Sequence, residues 1–223
     1  MPAFFGRRDG DRVVIVDADA SHLARSLRAR PGQEIEVVDP EGFMLTVRLE
    51  SVSPTSVEGT VIAERAHRPE PTARVTIAVA NLPAPSLDLV LSRCTEAGAH
   101  AFVVFGADRS VGRAAKLERW SSITREAAML ASRLQVPEVS VASSLEAALG
   151  AAENPILLDR SAPRRLADVA EAADLTLFVG PEGGWSQREL ELAEVTASLG
   201  PRNLRADTAA LVALAIALSA RGG

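Results

Sequence analysis

Cysteine is almost missing from this chain. Cys94 stands alone among 223 residues, which excludes an internal disulfide and a cysteine-based zinc cluster. Long apolar runs are missing too. The best candidate, Ala209 to Ala220, spans 12 residues and falls short of the ~20 needed to cross a bilayer, so it reads as a buried helix. No apolar signal core separates Met1-Pro2-Ala3-Phe4-Phe5 from Gly6-Arg7-Arg8-Asp9, and a cytoplasmic protein is expected. Lysine is scarce as well: Lys116 is the only one. The net charge of −5 counts mildly against nucleic acid, because phosphate binding draws on Lys and Arg.

What is present is an ordinary soluble composition, 47% hydrophobic and 24% charged, at a length that buries a real core. The positive charge is uneven. Residues 1–30 carry Arg7, Arg8, Arg12, Arg25, Arg28 and Arg30 against four Asp. Residues 108–133 carry Arg109, Arg113, Lys116, Arg119, Arg125 and Arg133 against Asp108, Glu118 and Glu126. Two locally basic segments on an acidic chain fit either an RNA-facing surface or solvated helix faces.

Short alternating segments fill the first third. Arg12 to Val16, Glu34 to Val38, Met44 to Leu49 and Val57 to Val61 read as strands. Turn signals lie between them at Arg30-Pro31-Gly32, Asp39-Pro40-Glu41-Gly42 and Ser53-Pro54. One helix is expected over His22 to Arg28, capped by Asp19 or Ser21. Strands at this spacing predict a small barrel. The polar, proline-bearing Arg68-Pro69-Glu70-Pro71-Thr72 is the predicted boundary. Beyond it strands and helices alternate. Strands are expected at Val75 to Ala80, Phe102 to Phe105, Ile156 to Leu158 and Leu175 to Val179. Helices are expected at Pro85 to Gly98, Lys116 to Leu134, Gln187 to Ser198 and Thr208 to Ala220. That pattern predicts an α/β domain with a mostly parallel sheet covered on both faces.

Two segments carry chemistry. Leu177-Phe178-Val179-Gly180-Pro181-Glu182-Gly183-Gly184-Trp185-Ser186 is a buried strand ending in a glycine turn. A helix start follows, with Ser186 as cap and Glu189 three residues on. Glycines at the C-terminal end of a strand let a ligand approach bare backbone, and open sheets bind ligands at that edge. The spacing is neither a dinucleotide fingerprint nor a Walker loop. Ser198-Leu199-Gly200-Pro201-Arg202-Asn203-Leu204-Arg205-Ala206-Asp207-Thr208 holds a second glycine turn, about twenty residues on, before a helix capped by Asp207 or Thr208.

The pair resembles the signature of the SPOUT superfamily, and in detail that of the 16S ribosomal RNA uracil-N3 methyltransferase family (RsmE). The likeness rests on Gly180 to Ser186 and Leu199 to Ala209. His22-Leu23-Ala24-Arg25-Ser26-Leu27-Arg28, Cys94-Thr95-Glu96-Ala97-Gly98, and Arg119-Trp120 through Arg133 to Pro137 are also similar to family segments, in the same order. The resemblance implies a PUA-like β-barrel over 1–70 that binds RNA, then a SPOUT α/β domain with a deep trefoil knot over 71–223. It also implies a homodimer, with 16S ribosomal RNA or the small ribosomal subunit as partner, and neither membrane nor metal.

S-adenosylmethionine is the implied cofactor. Residues implied to bind it are Leu158, Val179, Gly180, Pro181, Glu182, Gly183, Gly184, Leu199, Gly200, Asn203, Leu204 and Arg205. Arg7, Arg8, Arg133 and Arg205 are candidates to stabilise a uracil anion, and Glu182 to take the N3 proton. Arg7, Arg8, Arg25, Arg28, Arg109 and Arg113 are the candidate RNA contacts. Two departures fall on the RNA side: Asn81 to Ser86 lacks the family's lysines, and Leu130 stands near the position of a usual Gln; Asp207 also replaces Glu, and Ala97 replaces Leu. Methylation of another RNA and a non-catalytic RNA-binding or ribosome-assembly role are therefore the alternatives. The intact glycines count against the second.

Overall fold

The computed structural model describes residues 2–111 and 116–220. The chain divides into two compact units, Met1–Glu70 with Ala128–Val136, and Pro71–Ala127 with Pro137–Gly223.

In the N-terminal unit the strand alternation is physical. Along β3 (Arg12–Val16), Val13 and Ile15 are buried while Arg12 and Val16 face solvent. Six strands form one sheet: β1 (Phe4–Phe5), β2 (Arg7–Asp9), β3, β4 (Glu34–Asp39), β5 (Phe43–Val52) and β6 (Ser56–Ala66), in the order β1-β4-β5-β6-β3-β2. Only the β1–β4 pair is parallel. The two edge strands are separated in sequence by Gly6 alone, so the sheet must curl until its edges meet there. A Cβ on Gly6 would stand 2.8 Å from Val13 Cγ1 and 3.0 Å from Val37 Cγ1, inside the core. The barrel therefore tolerates no larger residue at that point.

The expected helix after β3 differs from its reading. α1 (Asp17–Ser21) starts directly at the strand end, with Asp17 at φ +56° and no side-chain cap, and continues as a π-turn over His22–Ser26. Neither Asp19 nor Ser21 caps it. Residues 128–136, expected to belong with the α/β domain, join this unit. Met129 packs in its core, Ala3 N–H donates to the Met129 carbonyl at 3.1 Å, and Arg133 pairs with Glu70. A single cut at 70/71 cannot anticipate such a return.

The second unit is a six-stranded, all-parallel sheet in the order β12-β10-β11-β7-β8-β9. Its strands are β7 (Arg74–Ala80), β8 (Ala101–Phe105), β9 (Glu138–Ala142), β10 (Pro155–Leu158), β11 (Asp174–Val179) and β12 (Thr196–Ala197). Both faces are covered. Val75, Ile77, Val79, Leu175 and Leu177 pack with α2 (Ala84–Glu96), Trp120 of α3 (Leu117–Leu130) and α6 (Ala206–Ser219). Ala78, Ala80, Phe105 and Phe178 pack with α4 (Leu145–Gly150) and with Trp185 and Leu190 around α5 (Gln187–Glu191). Cys94 lies in the first of these cores, its thiol pushed up to about 12 by burial.

Two helices stop short of expectation. The one read as Gln187 to Ser198 ends at Glu191, because Thr196–Ala197 pairs with Leu157–Leu158 as the edge strand β12. Tertiary pairing overrides a locally helical pattern. α3 stops at Leu130, where Ser132 at φ +53° and an Arg133 N–H to Ala128 carbonyl bond of 2.9 Å close the end. No helix among the described residues is long and apolar enough to cross a membrane.

Candidate functional site

Three parallel strands, β10, β11 and β12, end side by side, and the loops that leave them surround one cleft of about 740 Å³. This is the carboxyl edge of an open α/β sheet, where such folds place ligands. The walls come from Leu158 to Arg160, Val179 to Trp185, Ala197 with Leu199 and Gly200, and Arg202 to Ala206 with Ala209. All twelve positions singled out for cofactor binding thus border a single space. Missing from that set were Asp159, Arg160, Trp185, Ala197, Arg202, Ala206 and Ala209. Asp159 and Arg160 directly follow a buried strand, and Trp185 and Arg202 fall inside the glycine segments, so position alone would have found them.

The glycine loop is clamped from below. Trp185 donates its indole N–H to the Leu158 carbonyl at 2.9 Å and stacks on Phe105, ring planes 2° apart. A Cβ on Gly180 would stand 2.8 Å from Trp185 Cε2, so only glycine lets the indole close over the loop. Gly184 at φ +71° and Gly200 at φ +109° make the two turns that other residues disfavour. Both turns line the cleft, and residues without side chains there let a ligand come close to backbone.

The loop after β8 is tied to the same turn. Glu189 is fully buried, and its carboxylate accepts the amide N–H of Ser186 at 2.8 Å and that of Asp108 at 2.9 Å. The first of these completes a capping box, since Ser186 Oγ accepts the Glu189 N–H. Ser186 also donates to Asp108 Oδ2 at 2.6 Å, and Arg188 donates to Asp108 Oδ1 at 2.8 Å. Arg188, followed by Ser186, holds the Asp108 carboxyl below the usual range. Arg188 reaches Glu146 as well.

The other singled-out residues divide as follows. Glu182 is exposed at the cleft, and so are Asn203 and Arg205. Arg205 is the N-cap of α6 without a capping side chain. Asp207, expected to cap, instead accepts the N–H of Thr208 inside the first turn. Arg133 is buried in the N-terminal unit and grips Glu70 through Nε at 3.1 Å and Nη2 at 2.5 Å. That ion pair ties residues 128–136 to Glu70. Arg7, Arg25 and Arg28 are exposed on the barrel. Arg8 is half-buried between Glu64 at 2.8 Å and Asp39 at 3.4 Å, and its charge is neutralised there. Arg109 donates to the Gly183 carbonyl at 2.9 Å, which makes it a support of the glycine loop. Arg113 lies outside the described residues. No cluster of His, Cys, Asp or Glu suited to a metal occurs among the described residues.

The family described as RNA methyltransferase domain matches residues 68–218, and the RNA methyltransferase PUA domain matches residues 15–62. Ribosomal RNA small subunit methyltransferase E of Bacillus subtilis is 31% identical, the match covering 90% of this chain and 87% of that protein. The chain belongs to the ribosomal RNA small subunit methyltransferase E family. The Mycobacterium bovis member is 33% identical over 92% of this chain and 86% of its own. A crystal structure of the Neisseria gonorrhoeae member, bound to S-adenosyl methionine, superposes with a TM-score of 0.86 at 28% identity, covering 96% of this chain and 95% of that one. The PUA-like unit and the α/β unit described above are thus both family features.

Proposed function

We propose that this protein transfers the methyl group of S-adenosylmethionine to N3 of a uridine in 16S ribosomal RNA. The observation that carries the reading is the cleft where both glycine segments converge on the C-terminal edge of the sheet, in a member of a ribosomal RNA methyltransferase family. The donor supplies an electrophilic methyl on a sulfonium. Backbone groups of residues 180–184 and 199–205 hold its adenine, and Trp185 and Glu189 keep those loops in place. Glu182 takes the proton from uracil N3. Arg205 stabilises the negative charge that develops on the base. N3 lies on the Watson–Crick edge, so the target base is unstacked and single-stranded when it reacts.

The reading extends to the assembly. The catalytic unit is threaded as a deep trefoil knot, as its sequence resemblance implies, and works as a cytoplasmic homodimer. The barrel docks the RNA through Arg7, Arg25 and Arg28, whose side chains reach solvent. Arg7→Ala together with Arg28→Ala weakens RNA binding and leaves donor affinity alone. The test of the activity is labelled methyl transfer to small subunits from a strain deleted for this gene, followed by mapping of the product. Label on uridine N3 supports the reading, and label on another atom or no label contradicts it.

A further inference from the structure

Part of the arginine in this protein is neutralised within it. Arg8, Arg12, Arg48, Arg65, Arg74, Arg119, Arg133 and Arg188 all pair with carboxylates. A second set is not. Arg160, Arg164 and Arg165 leave β10, Arg202 and Arg205 leave β12, and all five are exposed. Among the described residues none of the five takes part in an ion pair, and Arg164 reaches only the Asp168 carbonyl, at 3.5 Å.

The fold brings these two loops together. β10 and β12 pair at Leu158 and Ala197. Asp159 N–H donates to the Ala197 carbonyl at 3.0 Å, Ser198 N–H to the Arg164 carbonyl at 2.9 Å, and Leu166 N–H to the Ser198 carbonyl at 3.0 Å. Ser198 is thus laced between the arginine loop and the second glycine segment. Arg160, Arg202 and Arg205 also line the cleft itself. Asp159 is the acidic neighbour in this loop, and the Ser161 hydroxyl already engages it.

We propose that residues 160–165 and 202–205 form a phosphate-binding rim that grips the RNA backbone beside the flipped uridine. This rests on the proposed function and names which surface of the catalytic unit meets the substrate. Unpaired guanidiniums at a cleft mouth, on a chain of net charge −5, are where a polyanion gains most: phosphate contacts give sequence-independent affinity and fix register, and the pocket then reads the base. Arginine's planar fork suits phosphate oxygens. The rim also accounts for a catalytic unit that lacks lysines at 81–86, because its cationic surface is built from a different pair of loops.

The test is the double variant Arg164→Ala/Arg165→Ala, at the two rim positions that do not line the cleft, read by calorimetry with S-adenosylmethionine, by binding to a labelled single-stranded RNA across a salt series, and by methyl transfer. Donor affinity and melting temperature should match the parent. RNA affinity should fall at least tenfold. The slope of log K against log salt should shrink by about 1.4, at roughly 0.7 for each of two lost single-strand phosphate contacts. KM for RNA should rise while kcat holds. A folded variant with the parent's RNA affinity and salt slope overturns the rim and leaves the proposed activity standing. A parent that binds donor but no RNA overturns both.

Discussion

The carboxylate of Glu189, wholly buried, accepts the backbone N–H of Asp108 at 2.9 Å. Its other oxygen holds the N–H of Ser186 at 2.8 Å, so one side chain fastens the loop after β8 to the start of α5. Removing it leaves two part-buried amides without their acceptor. Hydrogen bonds to a charged acceptor contribute about 1.5–3 kcal/mol each, so Glu189→Ala is expected to cost on the order of 3 kcal/mol. That corresponds to a melting midpoint lower by roughly 6–12 °C. Calorimetric melting checks it, and a midpoint within 2 °C of the parent would sink the account of this latch.

The surface part of the same latch is sensitive to acid. Arg188 and Ser186 hold the Asp108 carboxyl below its usual range. A group depressed in the folded state contributes stability above its unfolded value and loses it as pH falls through the folded one. Parent and Asp108→Asn should therefore differ in urea stability at pH 6, and the difference should begin to shrink near the ordinary carboxylate value of about 3.9 and vanish only below the depressed folded value. A gap independent of pH would mean that the charge of Asp108 plays no part.

Arg133 and Glu70 make the opposite kind of pair, buried and bidentate. Arg133→Ala leaves the Glu70 carboxylate without its cation and should destabilise the N-terminal unit by about 3 kcal/mol. Arg133→Met combined with Glu70→Leu should recover most of that loss. Donor affinity should stay at the parent's level in both. Loss of methyl transfer without loss of stability would support the catalytic reading of Arg133 instead.

α6 has no charged residue from Thr208 to Ala220. Its inner face, Ala210, Ala213, Leu214 and Ala217, is buried in the core. Thr208, Ala215 and Ser219 are exposed, and Val212 between them is half-buried. A second copy covering that outer face would explain why it carries no charge. Light scattering should report a dimer for the parent and a monomer for Val212→Glu. A parent that is monomeric at tens of micromolar would contradict the proposed assembly.

The sequence disclosed this site where chemistry demands a particular residue. Gly180 is required because Trp185 closes over it, and Gly184 and Gly200 because their φ values are positive, so the pattern of glycines is the pattern of the turns. Strands with buried faces, such as Leu175 to Val179, were equally legible from their apolar runs. What stayed hidden depends on contacts distant in sequence. Thr196–Ala197 reads as helix until Leu157–Leu158 pairs with it. The role of Arg133 is set by Glu70, 63 residues away. The arginines at 160–165 and 202–205 do not form a run. They become one rim only through the β10–β12 ladder, whereas the conspicuous run at 108–133 contains Arg119, Arg133 and Arg109, all engaged within the protein.

The central claim is that the two glycine segments form the methyl-donor site. Titrating S-adenosylmethionine into the parent and into Gly183→Val tests it most directly. A Cβ added at position 183 would stand 3.3 Å from Arg109 Cβ, and the branched side chain would crowd the loop and the space the ligand needs. The account predicts one site per chain in the parent with micromolar affinity, roughly −8 kcal/mol, and no detectable heat of binding in a folded Gly183→Val variant. Equal affinity in the two proteins, or no binding by the folded parent, would contradict it.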